Sequence, residues 1–326
     1  MNTTSATLYG YNQSTVPLNN THLTFVTDLI IRISISLGGF ISVVAVFGNL
    51  FNIFFIYRYP NLHNMNNLII ANLSFIDFFN GLIVIPMIVV FGLTGRPVYS
   101  LCQFQGFILT WLYTASLTTS AAVSTDRLYA IMYPFRYYAN ITVKKLCLTM
   151  ICIWFVPTII AVIPLLALGN YGLGKYRYMA FCAVSFIFYS ENYTICWILI
   201  SFIIITIIII LCSYLAIFTI AYRKTVRDLS HSGNLKKSIR TTSLIVGTNL
   251  LCWLPYLFLN FAQYIDRVNN TPDINSSSRS GPTSVVAIFL LFSNAAINPI
   301  IYMVTNSYLR KQIWYLFCKT RVHPIP

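Results

Sequence analysis

Asn298-Pro299-Ile300-Ile301-Tyr302 lies inside the apolar stretch 283–305, with Cys252-Trp253-Leu254-Pro255 one segment earlier. Asp77 and the pair Asp126-Arg127 are embedded in apolar stretches in the same way. A charge at the centre of a membrane helix costs about 2.5 to 3.5 kcal/mol on insertion scales, so each such residue needs an internal partner or a function.

Outward from these signatures, the composition sets the class. The chain has 326 residues, of which 57% are hydrophobic and 9% charged, and its mean hydropathy is +0.71. A soluble globular domain does not have this balance. Runs of roughly 20 apolar residues, enough to cross a hydrocarbon core of about 30 Å, occur near 29–57, 65–93, 102–132, 146–168, 194–222, 238–264 and 283–305. An amphipathic piece at 307–317 sets Arg310 and Lys311 beside Ile313, Trp314, Leu316 and Phe317 and suits a helix lying on the membrane. The expected fold is an all-α membrane protein, a seven-transmembrane helix bundle with a short amphipathic eighth helix. Its parts are an extracellular glycosylated segment 1–28, a membrane domain 29–305, and a helix with a short cytoplasmic tail 306–326.

Lys and Arg collect in cytoplasmic loops. Arg58 follows span one, and Arg127, Arg136, Lys144 and Lys145 follow span three. Arg223, Lys224, Arg227, Lys236, Lys237 and Arg240 join spans five and six, and Arg310, Lys311, Lys319 and Arg321 close the chain. Most of the 21 basic residues therefore lie on one side, which puts the N-terminus outside. The net charge of +14 reads as a topology signal that also favours the anionic inner leaflet, and nucleic acid need not be invoked. No cleaved signal peptide is read, and span one serves as its own insertion signal.

Asn-x-Ser/Thr acceptors in outer segments are Asn2, Asn12, Asn19, Asn192 and Asn275. Asn269 is weakened by Pro272, and Asn140 falls on the inside, where it stays bare. Of eight cysteines, Cys147, Cys152, Cys196, Cys212 and Cys252 fall in spans and read as small buried hydrophobes. Cys102 and Cys182 face the oxidising outer space. A disulfide between them would tie the outer loop across the bundle mouth, the alternative being two free thiols. Cys318, just past the amphipathic piece, is a palmitoylation candidate.

The chain resembles the rhodopsin-like (class A) G-protein-coupled receptors over nearly its whole length. The match runs in order through Gly48-Asn49, Leu73 to Asp77, Cys102 with Cys182, Asp126-Arg127-Leu128 with Pro134, Trp154, Tyr214, Cys252 to Pro255, and Asn298 to Tyr302. The resemblance implies a plasma-membrane receptor that transduces an extracellular ligand to heterotrimeric G proteins. It also implies a switch comprising Asp126, Arg127, Tyr214, Trp253, Pro255, Asn298, Pro299 and Tyr302. Arg127, Pro134 and Phe135 would contact the G protein. Asp77, Ser116, Asn294 and Asn298 would hold a sodium ion in the inactive state, the alternative being a protonated Asp77 satisfied by hydrogen bonds; no other cofactor is expected.

Several departures touch the switch. Leu128 replaces the usual Tyr, Thr206 stands where span five often carries Pro, and Asn249 replaces the Phe below the span-six Trp, while near the sodium residues Ala295 replaces a frequent Ser. The start of span six has Leu235, Lys236 and Lys237 and no acid to pair with Arg127, so basal signalling is expected.

The expected ligand-binding residues are Gln105, Leu109, Tyr113, Phe202, Trp253, Tyr256, Asn260 and Phe292, with Ile198, Leu257 and Gln263 nearby. An apolar, aromatic lining with few polar groups suits a neutral, amphipathic or peptide ligand. Leu109 occupies the place where amine receptors of this family carry an Asp, and Phe292 the place where visual pigments carry the retinal Lys. Typical amines and covalent retinal are therefore disfavoured. No nucleophile, base and orienting group cluster, so catalysis is not expected. A non-coupling seven-helix interaction protein is the alternative function. A transporter or channel is the weaker one, because an odd span count and the absence of a visible repeat fit the inverted-repeat plan poorly.

Overall fold

The computed structural model describes residues 18–95, 97–140, 142–166, 168–178, 181–184, 193–226, 233–269 and 282–318. Seven long rods run through it. They are α1 (Leu18–Arg58), α2 (Met65–Phe79) continued by a π turn (Asn80–Val84) into α3 (Ile85–Thr94), α4 (Tyr99–Met132), α6 (Val143–Val162), α7 (Tyr193–Val226), α8 (Gly233–Asn269) and α9 (Pro282–Thr305). A short α5 (Pro134–Asn140) follows α4, and α10 (Ser307–Cys318) follows α9. Five rods are long and apolar enough by composition to cross a membrane: Arg32–Arg58, Met65–Thr94, Lys144–Leu166, Tyr193–Ile220 and Val286–Thr305. In α8 the apolar part is shorter, Ser243–Leu259.

The polarity of α4 has a positional cause. It packs against α2, α6, α7 and α8 and the outer loop, and its buried residues include Gln103, Gln105, Thr110, Thr114, Ser116, Thr119, Ser120, Ser124 and Arg127. A rod surrounded by protein can carry such groups, whereas a lipid-facing rod cannot. The outer rods show the converse pattern, with Phe40, Phe47, Phe54, Leu148, Ile151, Phe155, Ile204, Ile205 and Ile208 on the bundle surface. So broad an apolar surface marks contact with lipid.

The structure adds to or departs from the sequence-based expectations in five places. Helix α1 starts at Leu18, eleven residues before its apolar run, and carries Asn19 in its first turn rather than in a loop. Span two is interrupted: Pro86 cannot donate and crowds the carbonyl of Leu82, and the π turn just before it absorbs the misfit. In that turn Ser42 Oγ donates to Gly81 O at 2.6 Å, locking α1 to the irregular backbone. The inner loop after α4 is helical, with Pro134 as the first residue of α5, a position where a missing N–H costs nothing. Outside the helical bundle, β1 (Arg177–Tyr178) and β2 (Cys182–Ala183) form a small antiparallel hairpin in the loop between α6 and α7. Finally, Cys196 and Cys252 are buried as expected, but Cys147, Cys152 and Cys212 are exposed on the bundle surface.

Asn306 caps α10, its Oδ1 accepting from the backbone N–H groups of Tyr308 and Leu309 at 3.1 Å each. Leu309 is buried among Phe55, Leu62, Leu73, Ile245 and Tyr302, while Arg310, Lys311 and Trp314 remain exposed. This anchors an amphipathic helix across the end of the bundle.

Candidate functional site: a core joining an outer cavity to an inner clamp

The outer end is built on α4. Cys102 and Cys182 form a disulfide. Gln103 clamps Tyr176 from both sides, donating Nε2 to its carbonyl at 2.8 Å and accepting its N–H on Oε1 at 3.1 Å. Gln105 Oε1 accepts the N–H of Cys182 at 2.9 Å, so this expected ligand residue also holds the loop in place. The Tyr176 hydroxyl donates to Ala161 O at 2.8 Å, and burial pushes that phenol well above its ordinary pKa. A Cβ on Gly106 would overlap the Tyr176 ring, so glycine is required for this close approach.

Beneath the hairpin, Phe181 meets Phe292, Phe292 meets Tyr113 and Tyr113 meets Trp253, with ring centroids 6.1, 6.1 and 5.6 Å apart. Leu109, Phe202, Tyr256 and Leu257 pack partly buried against the same cluster, and Ile198 packs with Tyr176 and Val184 on the α7 side. The expected cavity residues are therefore brought together, except that the side chains of Asn260 and Gln263 lie outside those described. Phe181 was not legible beforehand, because a loop phenylalanine shows no periodicity.

Asp77, Ser116, Asn294 and Asn298 are all buried at mid-bundle. Asn298 Nδ2 donates to Asp77 Oδ2 at 2.8 Å. Asn49 Nδ2 donates to Ala45 O at 2.8 Å and to Ala295 O at 2.9 Å. Pro299 has no N–H to reach the carbonyl four residues back, which is that of Ala295; Asn49 takes its place. Asp77 Oδ1, Ser116 Oγ, Asn294 Oδ1 and Asn298 Oδ1 have no hydrogen-bond partner. Unsatisfied buried oxygens require an explanation such as an ion or water, and a set including a carboxylate fits a cation. Trp154 Nε1 donates to Asn72 Oδ1 at 3.0 Å, and Asn72 Nδ2 to Thr119 Oγ1 at 3.2 Å, tying α6, α2 and α4 together around this core. Where a Pro was the common alternative, Thr206 returns its hydroxyl to Phe202 O at 2.6 Å and α7 runs on as helix.

At the inner end Arg127 is 6% exposed and is paired with Asp126 through Nε at 3.2 Å and through Nη2. Tyr137 of α5 closes the arrangement. Its hydroxyl lies 3.0 Å from Asp126 Oδ1, to which it donates, and accepts from Arg127 Nη2 at 3.2 Å. Sequence reading missed Tyr137, because only the helical turn of α5 carries it back under α4. Tyr302 is buried in the inner cluster with Ile245, Tyr214 is partly buried on α7, and Pro255 and Pro299 sit within α8 and α9. Phe135, by contrast, is 95% exposed beside the clamp.

The expected glycosylation sites Asn2, Asn12, Asn192 and Asn275 lie outside the described residues. Among the described residues no three His, Cys, Asp or Glu side chains form a metal cluster.

The structure is thus a helical, multi-pass membrane bundle with a capped aromatic cluster at one end and a clamped arginine at the other. The family description 7 transmembrane receptor (rhodopsin family) matches residues 48–302, and the chain belongs to that family, whose members are receptors rather than enzymes. It is similar to G-protein coupled receptor GRL101 of Lymnaea stagnalis, 28% identical over 85% of this chain and 25% of that protein. The chain thus spans about a quarter of that relative's length. It is also 26% identical to adenosine receptor A2b of Gallus gallus, over 87% of this chain and 89% of that one. Histamine H2 receptor of Homo sapiens is 25% identical over 79% and 71% respectively.

Proposed function

We propose that this chain is a plasma-membrane receptor, N-terminus outside, that couples an extracellular ligand to nucleotide exchange on a heterotrimeric G protein. The observation that carries the reading is the clamp of Asp126, Arg127 and Tyr137 beside the exposed Phe135. A buried arginine held by a neighbouring carboxylate and a loop hydroxyl is a discrete state that a rearrangement can release. Phe135 and Pro134 would then meet the G protein together with the freed Arg127. Trp253, Pro255, Asn298, Pro299, Tyr214 and Tyr302 form the path between the ends, with Pro255 and Pro299 as its hinges.

The ligand site is the aromatic cavity around Leu109, Tyr113, Phe202, Trp253, Tyr256 and Phe292, with Gln105 above it and Asn260 towards the mouth. The ligand is neutral, amphipathic or a peptide. Similarity to a histamine receptor does not bring an amine with it, because Leu109 offers no charge for an ammonium. Asp77, Ser116, Asn294 and Asn298 would hold a sodium ion, which supplies the positive charge their unpaired oxygens lack. The outer acceptors Asn2, Asn12, Asn19, Asn192 and Asn275 would carry glycans.

The test is nucleotide exchange in membranes expressing wild type or Arg127→Ala at equal surface density, across a panel of heterotrimers, first without ligand and then with peptide and lipid pools. Exchange in the wild type that Arg127→Ala loses is the expected result. Equal exchange in both proteins, with ligand pools included, would instead favour the non-coupling protein, whose one supporting observation is the altered set Leu128, Thr206 and Asn249.

A further inference from the structure

The buried amide of Asn249 has no part in the cavity, the mid-bundle oxygens or the arginine clamp. Asn249 is 1% exposed on α8, and its Nδ2 donates to Ser120 Oγ on α4, which is fully buried. The direction of this bond is fixed, because the Ser120 hydroxyl spends its own proton on Ser116 O at 3.0 Å and can only accept from Asn249. Asn249 Oδ1 has no partner, so the amide is half satisfied and Ser120 supplies what satisfaction it has.

Position along α8 gives the bond its consequence. Asn249 lies six residues before Pro255, on the side of that proline expected to face the cytoplasm. A swing of the inner half of α8 about Pro255 would move Asn249 away from α4, and its buried chain neighbours Ile245 and Val246 offer no side-chain hydrogen bond in exchange. The start of α8 carries no acid that could hold Arg127 from that side. We infer that the Asn249–Ser120 hydrogen bond is the restraint that keeps α8 closed on α4, a positioning pair that limits basal signalling where an arginine–acid lock is missing. The inference rests on the coupling function proposed above. Hydrogen bonds between membrane helices are modest, and their range converts to about a threefold to tenfold shift between closed and open states.

The experiment compares wild type, Asn249→Ala, Ser120→Ala, the double variant and Ser120→Thr, with Thr248→Ala as control because its hydroxyl bonds within its own helix. Ligand-free nucleotide exchange is read at equal surface density, and amide hydrogen exchange of residues 240–250 is read on the purified full chain in lipid nanodiscs. Either alanine variant should raise both readouts about threefold to tenfold. The double variant should go no higher than the larger single one, since both remove the same bond. Ser120→Thr, which keeps the hydroxyl, and Thr248→Ala should match wild type. Alanine variants at or below wild type in amide exchange, or two effects that multiply in full, overturn the restraint. Faster amide exchange with flat nucleotide exchange on every heterotrimer would keep the restraint and remove the coupling function, so the two failures separate. If Asn249→Ala does not reach the membrane, the Ser120→Ala and Ser120→Thr pair decides alone.

Discussion

The two halves of the bundle treat their buried polar groups differently. At the outer end the loop hairpin is fastened to α4 by a disulfide, by both ends of the Gln103 amide and by the oxygen of Gln105. At mid-bundle, four oxygens from Asp77, Ser116, Asn294 and Asn298 have no hydrogen-bond partner. A satisfied network specifies one arrangement, while a partly satisfied one leaves room for an ion, water or a second arrangement. The outer cap, cross-linked by a disulfide although Gln105 Nε2 is left without a partner, is therefore the more constrained of the two, and the core beneath it is where an ion, water or a second arrangement has room.

Three perturbations sharpen that contrast. The largest effect is expected at the cap: Cys182→Ser should lower stability by about 2 to 4 kcal/mol, read as a drop in melting temperature of the solubilised receptor. A variant that melts with wild type would show that hydrogen bonds alone hold the hairpin. A smaller effect belongs to the core. Replacing sodium by choline at fixed ionic strength should destabilise the wild type by about 1 to 2 kcal/mol if sodium stands tenfold or more above its dissociation constant. Asp77→Asn should be indifferent to the exchange; equal melting of the wild type in both salts would mean that a proton, not sodium, satisfies Asp77. The smallest effect falls on the inner clamp. Tyr137→Phe removes a hydroxyl from Asp126 and Arg127, a loss of about 1 kcal/mol, which should raise ligand-free nucleotide exchange about fivefold. A decrease would place Tyr137 on the active side of the switch.

The spans were legible because a membrane rod needs a long, predominantly apolar run, most strictly where it faces lipid. The residues of the polar core were legible as well, since each intramembrane polar group stands out against its neighbours. What escaped was set by contacts distant in sequence. Tyr137 reaches Asp126 only because α5 folds back under α4. Phe181 reaches Phe292 only through the hairpin, and the bond from Asn249 to Ser120 joins residues 129 apart. Span two held a partial signal in Pro86, but a proline alone does not distinguish a kink from a π turn. For α4, low hydropathy marks its central position rather than a weaker claim to be a span.

Asn49 has a mechanical consequence. A proline in a rod normally leaves a bare carbonyl whose desolvation penalises any change in bend, and in lipid no water is at hand to relieve it. Here the carbonyl of Ala295 is met by an amide mounted on a different rod, α1. The joint in α9 is thus seated on a bearing fixed to its neighbour: the buried carbonyl that Pro299 leaves bare is coordinated from outside its own rod, and α1 is the stator against which any bend of α9 would be made.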